Sequence, residues 1–236
     1  MLSSEARLGH EEVHLIAWAT PGSPERMDAW RGLLSADEAE RAARFRFARH
    51  ARAWEAARGG LRELLGRYAG GSPQALRFTL GPHGKPALEG SGAPDFNLSH
   101  TEGLALLAIG RGGALGVDVE ARREVPERAG IARSHFSDAE VALLEAEDAE
   151  GRGADCFLRL WTRKEAVIKA VGQGLGYPLR RVTVGLASAL DGPIFEPGAP
   201  GAEGPWSLED LDPGPGFRAA LACRFRPGAV RLFRWR

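Results

Sequence analysis

The segments Gly116-Val117-Asp118-Val119-Glu120 and Trp161-Thr162-Arg163-Lys164-Glu165-Ala166-Val167-Ile168-Lys169 carry most of what this sequence predicts. The first is an apolar run interrupted by acids, and it predicts a β-strand. Side chains two positions apart leave the same face of a strand, so we expect Asp118 and Glu120 to share a face. The second has apolar residues at helical spacing and predicts an α-helix. Together the segments indicate a fold that combines strands and helices.

The polar residues of these two segments suit phosphate chemistry. Glu165 and Lys169 are four positions apart and would lie on one helix face, one turn apart. With Asp118 and Glu120 they supply three carboxylates and one ammonium group. Mg²⁺ prefers carboxylate and phosphate oxygens, so the set predicts a magnesium ion held against a phosphate. The alternative is a surface Glu–Lys pair that supports the helix, beside two exposed strand carboxylates.

Lysine is rare in this chain: Lys and Arg total 31, and only Lys85, Lys164 and Lys169 are lysines. An ammonium group is a compact point charge, whereas a guanidinium group is a planar fork. The use of lysine at these positions therefore suggests that they need a point charge. The alternative is chance clustering. Lys164 falls inside the apolar stripe of the helix. We expect its stem to pack on apolar surface with the ammonium group in water, and a partly buried cation in the phosphate site is the alternative.

The composition is typical of a soluble globular protein. The 236 residues are 44% hydrophobic and 26% charged, and the formal net charge is zero. A neutral chain gives no reason to expect nucleic acid or an anionic membrane as the main partner. Cys156 and Cys223 lie far apart, which argues against a disulfide framework or a zinc site. Neither a secretory signal nor a long apolar run is recognisable, so we expect a cytoplasmic protein.

Turn and capping signals divide the chain into alternating helices and strands. Capping boxes at Ser35 and Ser137 and a proline at Pro24 predict helix starts. The predicted helices span 24–34, 36–47, 51–68, 138–150 and 154–171, and the predicted strands span 14–19, 76–80, 95–98, 104–109, 115–119, 182–186, 217–225 and 230–235. Residues 188–205 are rich in Gly and Pro and predict a long loop. The turn at 111–113 predicts a boundary between two α/β halves, 1–112 and 113–236.

Three motifs, in order, resemble the signature of the Sfp-type 4′-phosphopantetheinyl transferases. They are Phe96-Asn97-Leu98-Ser99-His100, the strand segment at 116–120, and the helix at 157–169. Gly84-Lys85-Pro86 resembles the element before the first motif, and His135-Phe136-Ser137 resembles the segment between the last two. The resemblance runs from about residue 35 to residue 185, in the family's usual order and spacing.

The resemblance implies an enzyme that moves the phosphopantetheine arm of coenzyme A to a serine of an acyl or peptidyl carrier protein. The other product would be adenosine 3′,5′-bisphosphate. The implied fold class is α/β (α+β), with two similar halves in a pseudo-twofold arrangement and the active site between them. Residues 1–112 would contribute to coenzyme A binding, and residues 113–236 would carry the metal site and the catalytic helix.

The resemblance also assigns roles to individual residues. The Mg²⁺ ligands would be Asp118, Glu120 and Glu165. The catalytic residues would be Glu165, which would accept the serine proton, and Lys169, which would contact the pyrophosphate. The remaining coenzyme A contacts would be Lys85, Ser99, His100 and Arg41, with Arg44 as a nearby reserve.

Two positions depart from the family pattern. Glu38 stands where a basic residue is common, and Ala48-Arg49-His50 stands where the family usually has an acid, so contacts to the adenosine end are open. Two other functions also stay open: a different Mg²⁺-dependent phosphoryl enzyme, and a non-catalytic relative that binds coenzyme A or a carrier. We expect a monomer. Residues 122–136 are the predicted carrier docking face, and a solvated connecting helix is the alternative.

Overall fold

The computed structural model describes residues 8–186 and 192–235. The strands are β1 (Glu12–Thr20), β2 (Phe78–Leu80), β3 (Pro86–Leu88), β4 (Asp95–Thr101), β5 (Gly103–Gly110), β6 (Leu115–Ala121), β7 (Val182–Thr183), β8 (Ile194–Phe195), β9 (Ser207–Leu211), β10 (Phe217–Cys223) and β11 (Ala229–Arg234). The helices are α1 (Pro24–Arg31), α2 (Ala36–Ala43), α3 (Ala48–Ala69), α4 (Arg128–His135), α5 (Asp138–Ala149) and α6 (Gly153–Val171). No helix within these ranges is long and apolar enough to cross a membrane.

The same topology occurs twice along the chain. A first strand, β1 or β6, is followed by three helices, a two-stranded hairpin and two antiparallel strands. The first copy pairs in the order β1-β5-β4 and the second in the order β6-β10-β9, with antiparallel neighbours in both. The predicted class, two similar halves that mix helices and strands, is therefore confirmed. β11 lies outside the repeat, since it pairs in parallel with β1 of the first sheet. The division at residue 112 stays a prediction.

The two sheets pack face to face, and helices cover their outer faces. The central layer between the sheets includes Val13, Leu15, Leu106, Val117, Val119 and Leu221. On the outer face of the first sheet, Ile16 and Leu107 pack with α1 and α3. On the outer face of the second sheet, Ala220 and Ala222 pack with α4, α5 and α6. Burial on both faces explains why the central strands are apolar at almost every position.

Most predicted elements are present, with ends within three residues of those expected. The helix expected over 36–47 is shorter: it ends at Ala43, and α3 begins at Ala48 after an extended Phe47 (φ −118°, ψ 128°). The sequence does not predict β3, β8 and β9, and the first two are only two or three residues long, too short for a periodic signal. The predicted loop at 188–205 contains β8, and its residues 188–191 lie outside the described residues.

Candidate active site

One glycine lets helix α6 lie against strand β6. A Cβ atom on Gly116 would lie 2.2 Å from the carbonyl oxygen of Ala166 and 2.4 Å from the amide nitrogen of Ala170. Only glycine, which lacks that atom, allows two backbones to come this close. Gly116 and Asp118 share a face of β6, because they are two positions apart. The close approach therefore brings the polar side of α6 to Asp118.

We expect Gly116→Ala to lower the free energy of unfolding by about 1–3 kcal/mol, because the added methyl group must push α6 away from β6. The same displacement should reduce activity by moving Glu165 and Lys169 away from Asp118. Denaturant unfolding would measure the first effect. Gly130→Ala is a matched control, since a Cβ there meets no atom within 4 Å. Equal stability of the two variants would contradict the prediction.

Asp118, Ser99 and Lys169 form a bonded cluster where β6, β4 and α6 meet. The Lys169 ammonium group lies 2.6 Å from Oδ1 of Asp118 and donates to Oγ of Ser99 at 3.0 Å. The Ser99 hydroxyl donates to the same Oδ1 at 2.8 Å. Asp118 and Ser99 are 5% and 6% exposed, so these charge-assisted bonds form in surroundings with little water. Residues 51 positions apart are thus joined in one polar unit.

The second carboxylate oxygen of Asp118 is buried and has no hydrogen-bond partner. Burial is the largest cause of the raised pKa of Glu165, and the negative charge of nearby Asp118 is the second. Glu120 pairs with Arg123 at 2.8 Å, and its charge also helps to raise the pKa of Glu165. Among the described residues, no three acidic, histidine or cysteine side chains form a ready metal cluster. An unpartnered buried oxygen beside further carboxylates fits a hard cation such as Mg²⁺ in donor chemistry.

A cavity of about 250 Å³ opens beside this cluster, at the carboxyl end of α6. Its wall includes His83, Lys85, Asn97, Glu165 and Lys169. The ammonium group of Lys85 donates to the carbonyl oxygens of Leu115 at 2.9 Å and Ala170 at 3.4 Å. Removal from water lowers the pKa of Lys85 to about 8. The hairpin that carries Lys85 is therefore tied to both β6 and α6.

A second cavity, of about 410 Å³, lies between α3 and the turn that follows β4. It is lined by aromatic and basic side chains, including Phe45, Arg49, His50, Trp54 and His100. Part of the His100 ring is open to solvent, yet the surrounding protein excludes enough water to lower its pKa, and the charge of Lys169 acts in the same direction. An aromatic and cationic lining suits a ligand that carries both a nucleobase and an anionic group.

Arg41, near the end of α2, and Arg44, just after it, are both predicted coenzyme A contacts, but they lie in different surroundings. The Arg41 guanidinium group lies 5.6 Å from the centre of the Trp54 ring, beside the second cavity. Arg44 instead pairs with Glu40 on the exposed helix surface and is not part of the wall of either cavity. The departure at Glu38 has a structural explanation. Its buried carboxylate accepts bonds from Arg58 and Arg62 at 2.5 and 2.6 Å and from the Ser35 amide, so it anchors α2 to α3.

The expectation that the Lys164 ammonium group reaches water is wrong, and so is the alternative of a cation in the phosphate site. Lys164 is 0% exposed and pairs with Glu140, also buried, at 2.7 Å. Its ammonium group also donates to the carbonyl oxygens of Leu179 and Val182 at 2.9 and 2.5 Å. Glu140 in turn accepts from the amides of Ser137 and Val184. The pair therefore joins α5, α6 and the segment after residue 178.

All three lysines donate to backbone carbonyl oxygens. Lys85 bonds two, Lys164 bonds two, and Lys169 bonds that of Val117 at 3.3 Å. Arg62 and Arg163 also donate to pairs of backbone carbonyl oxygens, so the interpretation that lysine is used where a point charge is needed stays a prediction.

Several residues of the cavities do not appear among the predicted site residues, and His83, Phe45 and Trp54 are three of them. His83 follows a Gly-Pro turn two positions before Lys85, and the turn signal marks its segment as a loop. Phe45 lies in the break between α2 and α3, and Trp54 lies nine positions later in α3, with ring centres 6.1 Å apart. The sequence predicts that break at 48–50, after a helix that includes Phe45, so no periodic pattern could bring the two rings together.

Known proteins are similar to this chain over most of its length. A profile described as the 4′-phosphopantetheinyl transferase superfamily matches residues 114–221. The 4′-phosphopantetheinyl transferase HetI of Nostoc sp. is 36% identical over 217 residues, which cover 90% of this chain and 87% of the relative. The 4′-phosphopantetheinyl transferase Sfp of Bacillus subtilis is 27% identical over 92% of this chain and 93% of the relative. The L-aminoadipate-semialdehyde dehydrogenase-phosphopantetheinyl transferase of Homo sapiens is 32% identical over 65% of this chain and 53% of the relative.

Proposed function

The chain belongs to the 4′-phosphopantetheinyl transferase superfamily, and we propose that the cavity at the end of α6 is where coenzyme A gives up its phosphopantetheine arm. As a phosphopantetheinyl transferase, the protein acts on coenzyme A and a carrier protein. The observation that carries the proposed site is the buried cluster of Asp118, Ser99 and Lys169, with Glu165 beside it. The wall of this cavity combines Glu165 with Lys85 and Lys169, whereas the wall of the second cavity has no lysine.

The proposed reaction is a phosphoryl transfer to an alcohol. The carrier serine oxygen attacks the phosphorus atom that bears the pantetheine arm, and the phosphorus–oxygen bond of the pyrophosphate breaks. Adenosine 3′,5′-bisphosphate leaves with that bridging oxygen and its electron pair. Glu165 accepts the serine proton, and its raised pKa makes it a stronger base than an ordinary glutamate. Lys169 stabilises the negative charge that grows on the leaving group.

A magnesium ion is the cofactor we propose for this site. Asp118, Glu120 and Glu165 would hold it, and the unpartnered oxygen of Asp118 is the donor that supports the assignment. When bound, Mg²⁺ would neutralise pyrophosphate charge and so favour departure of the bisphosphate. The chain's own contribution is to hold Asp118 in place through Ser99, and Glu120, which pairs with Arg123 in this structure, would supply a further carboxylate.

The adenosine end of coenzyme A would enter the second cavity. His100 lies in its wall and Arg41 lies beside the Trp54 ring, so both could meet the 3′-phosphate, while Phe45 and Trp54 offer ring faces to the adenine base. Lys85 would act mainly by placing its hairpin, since its ammonium group is already bonded to two carbonyls. Arg44, paired with Glu40, would take no part.

The test is to mix the purified protein with apo carrier protein, coenzyme A and Mg²⁺, and to measure the intact mass of the carrier. We expect a gain of one phosphopantetheine arm, lost when EDTA removes the metal and restored by added Mg²⁺. A carrier whose acceptor serine is replaced by alanine is the control. Coenzyme A binding without any mass gain, over several carriers, would favour a non-catalytic binding protein. Release of free phosphate without a modified carrier would favour a hydrolytic enzyme instead.

A further inference from the structure

Strands β4 and β6 run side by side, but side chains rather than backbone bonds join them. Each of three alternate amides of β6 donates to a side-chain oxygen of β4. The bonds run from Val117 to Oδ1 of Asn97 at 2.9 Å, from Val119 to Oγ of Ser99 at 3.3 Å, and from Ala121 to Oγ1 of Thr101 at 3.2 Å. The sequence offset is 20 in every case, so the two strands keep a constant parallel register.

Carbonyl groups on the same edge of β6 are bonded by lysines. Lys85 donates to Leu115 and Lys169 donates to Val117. An unbonded buried backbone group is costly, so a strand edge beside the core needs partners. Here the partners are side chains from β4, from the hairpin and from α6. The other edge of β6 pairs with β10, so these side chains close the edge that faces β4.

Ser99 has no hydrogen-bonding capacity left for a ligand. A hydroxyl group has one donor and two acceptor sites. Ser99 donates to Asp118 and accepts from the Val119 amide and from Lys169. The side chain is also buried, and the wall of the cavity includes its neighbour Asn97 but not Ser99. A coenzyme A contact through this hydroxyl group, which the resemblance implies, would require one of these three bonds to be given up.

We propose that Asn97, Ser99 and Thr101 are positioning residues that hold β6 in register, and that Ser99 acts through Asp118 rather than by contacting coenzyme A. The catalytic part of this inference rests on the proposed function. A shift of β6 by one residue would exchange its faces and turn Asp118 from α6 toward the central layer. The three β4 oxygens oppose that shift, because each one matches an amide of β6.

The first test replaces Ser99 by alanine and separates turnover from binding. We expect kcat to fall by about 10- to 100-fold, as is usual when a residue that orients a metal ligand is lost. The Kd of coenzyme A, measured by calorimetry in EDTA, should change less than about twofold. A hydrogen bond to phosphate contributes about a tenfold or larger factor to binding. A tenfold rise in Kd with little change in kcat would therefore overturn the proposal.

The second test does not depend on catalysis and uses a matched pair at Thr101, which is only half-buried. Thr101→Ser keeps the acceptor oxygen, and Thr101→Val has nearly the same shape without it. We expect the valine variant to speed hydrogen exchange at the Ala121 amide by about tenfold or more, and the serine variant to retain slow exchange. Thr79→Val, on the exposed part of β2, should change neither exchange nor activity.

The two tests distinguish the possible failures. If the Ala121 amide exchanges hydrogen at the same rate in Thr101→Val as in the parent, the positioning role is overturned even if the carrier is modified as proposed. If exchange responds as expected but the parent protein never modifies a carrier, the proposed function fails while the junction between the strands stands. If Ser99→Ala does not fold, the Thr101 pair still decides the structural part.

Discussion

Replacing Asp118 by asparagine should lower kcat/KM for carrier modification by at least about 10³-fold, while the protein stays folded. Asparagine has nearly the same shape as aspartate and can still accept from Ser99. It lacks the charge that pairs with Lys169 and the anionic oxygen that has no partner in the protein. Both the proposed cation site and the placement of Lys169 would be weakened together.

The measurement is the rate of carrier modification at saturating coenzyme A over a range of Mg²⁺ concentrations. Circular dichroism and thermal unfolding should show that the variant keeps its fold. Glu145→Gln is a suitable control, since it makes the same chemical change on the exposed surface of α5. An Asp118→Asn variant with the parent's activity would remove the central residue of the proposed site, and the mechanism with it.

The second large effect concerns stability. Lys164→Met should lower the free energy of unfolding by about 3–5 kcal/mol, because the Glu140 carboxylate would be left buried without its cation. The carbonyls of Leu179 and Val182 would lose a donor as well. Since domains of this size are stable by only about 5–15 kcal/mol, much of the protein's margin would be lost.

Denaturant unfolding of single and double variants checks this account. Lys164→Met combined with Glu140→Gln should be more stable than the sum of the two single losses, by about 1 kcal/mol or more, because no uncompensated charge remains. Arg44→Met is the control: it removes an exposed pair with Glu40 and should cost less than about 1 kcal/mol. Similar losses of unfolding free energy in Lys164→Met and Arg44→Met would contradict the stabilising role of the buried pair of Lys164 and Glu140.

Much of the site follows from sequence patterns, because those patterns reflect local geometry. The strand period predicts that Asp118 and Glu120 share a face, and the helix period predicts that Glu165 and Lys169 lie one turn apart. Glycine at 116 then permits the contact between the two elements. The predicted ligand set of Asp118, Glu120 and Glu165 stays a prediction, with Glu120 paired to Arg123 in this structure.

Other roles depend on partners that no local pattern identifies. Lys164 occupies the same motif as Lys169, yet one ammonium group is sealed against Glu140 and the other faces Asp118. Ser99 belongs to a motif that resembles a coenzyme A contact, but its hydroxyl group is bonded on all sides by protein.

The sequence by itself determined the two α/β halves, the family resemblance and the faces on which the acidic residues lie, because each depends on the order and spacing of residues along one segment. Only the tertiary structure decided which cation is buried, which strand edge is closed by side chains, and that β11 joins the first sheet. The physical reason is that the free energy of a charge or an amide depends on the atoms around it. For the buried lysine and the strand edge, those atoms come from residues 15 to 52 positions away.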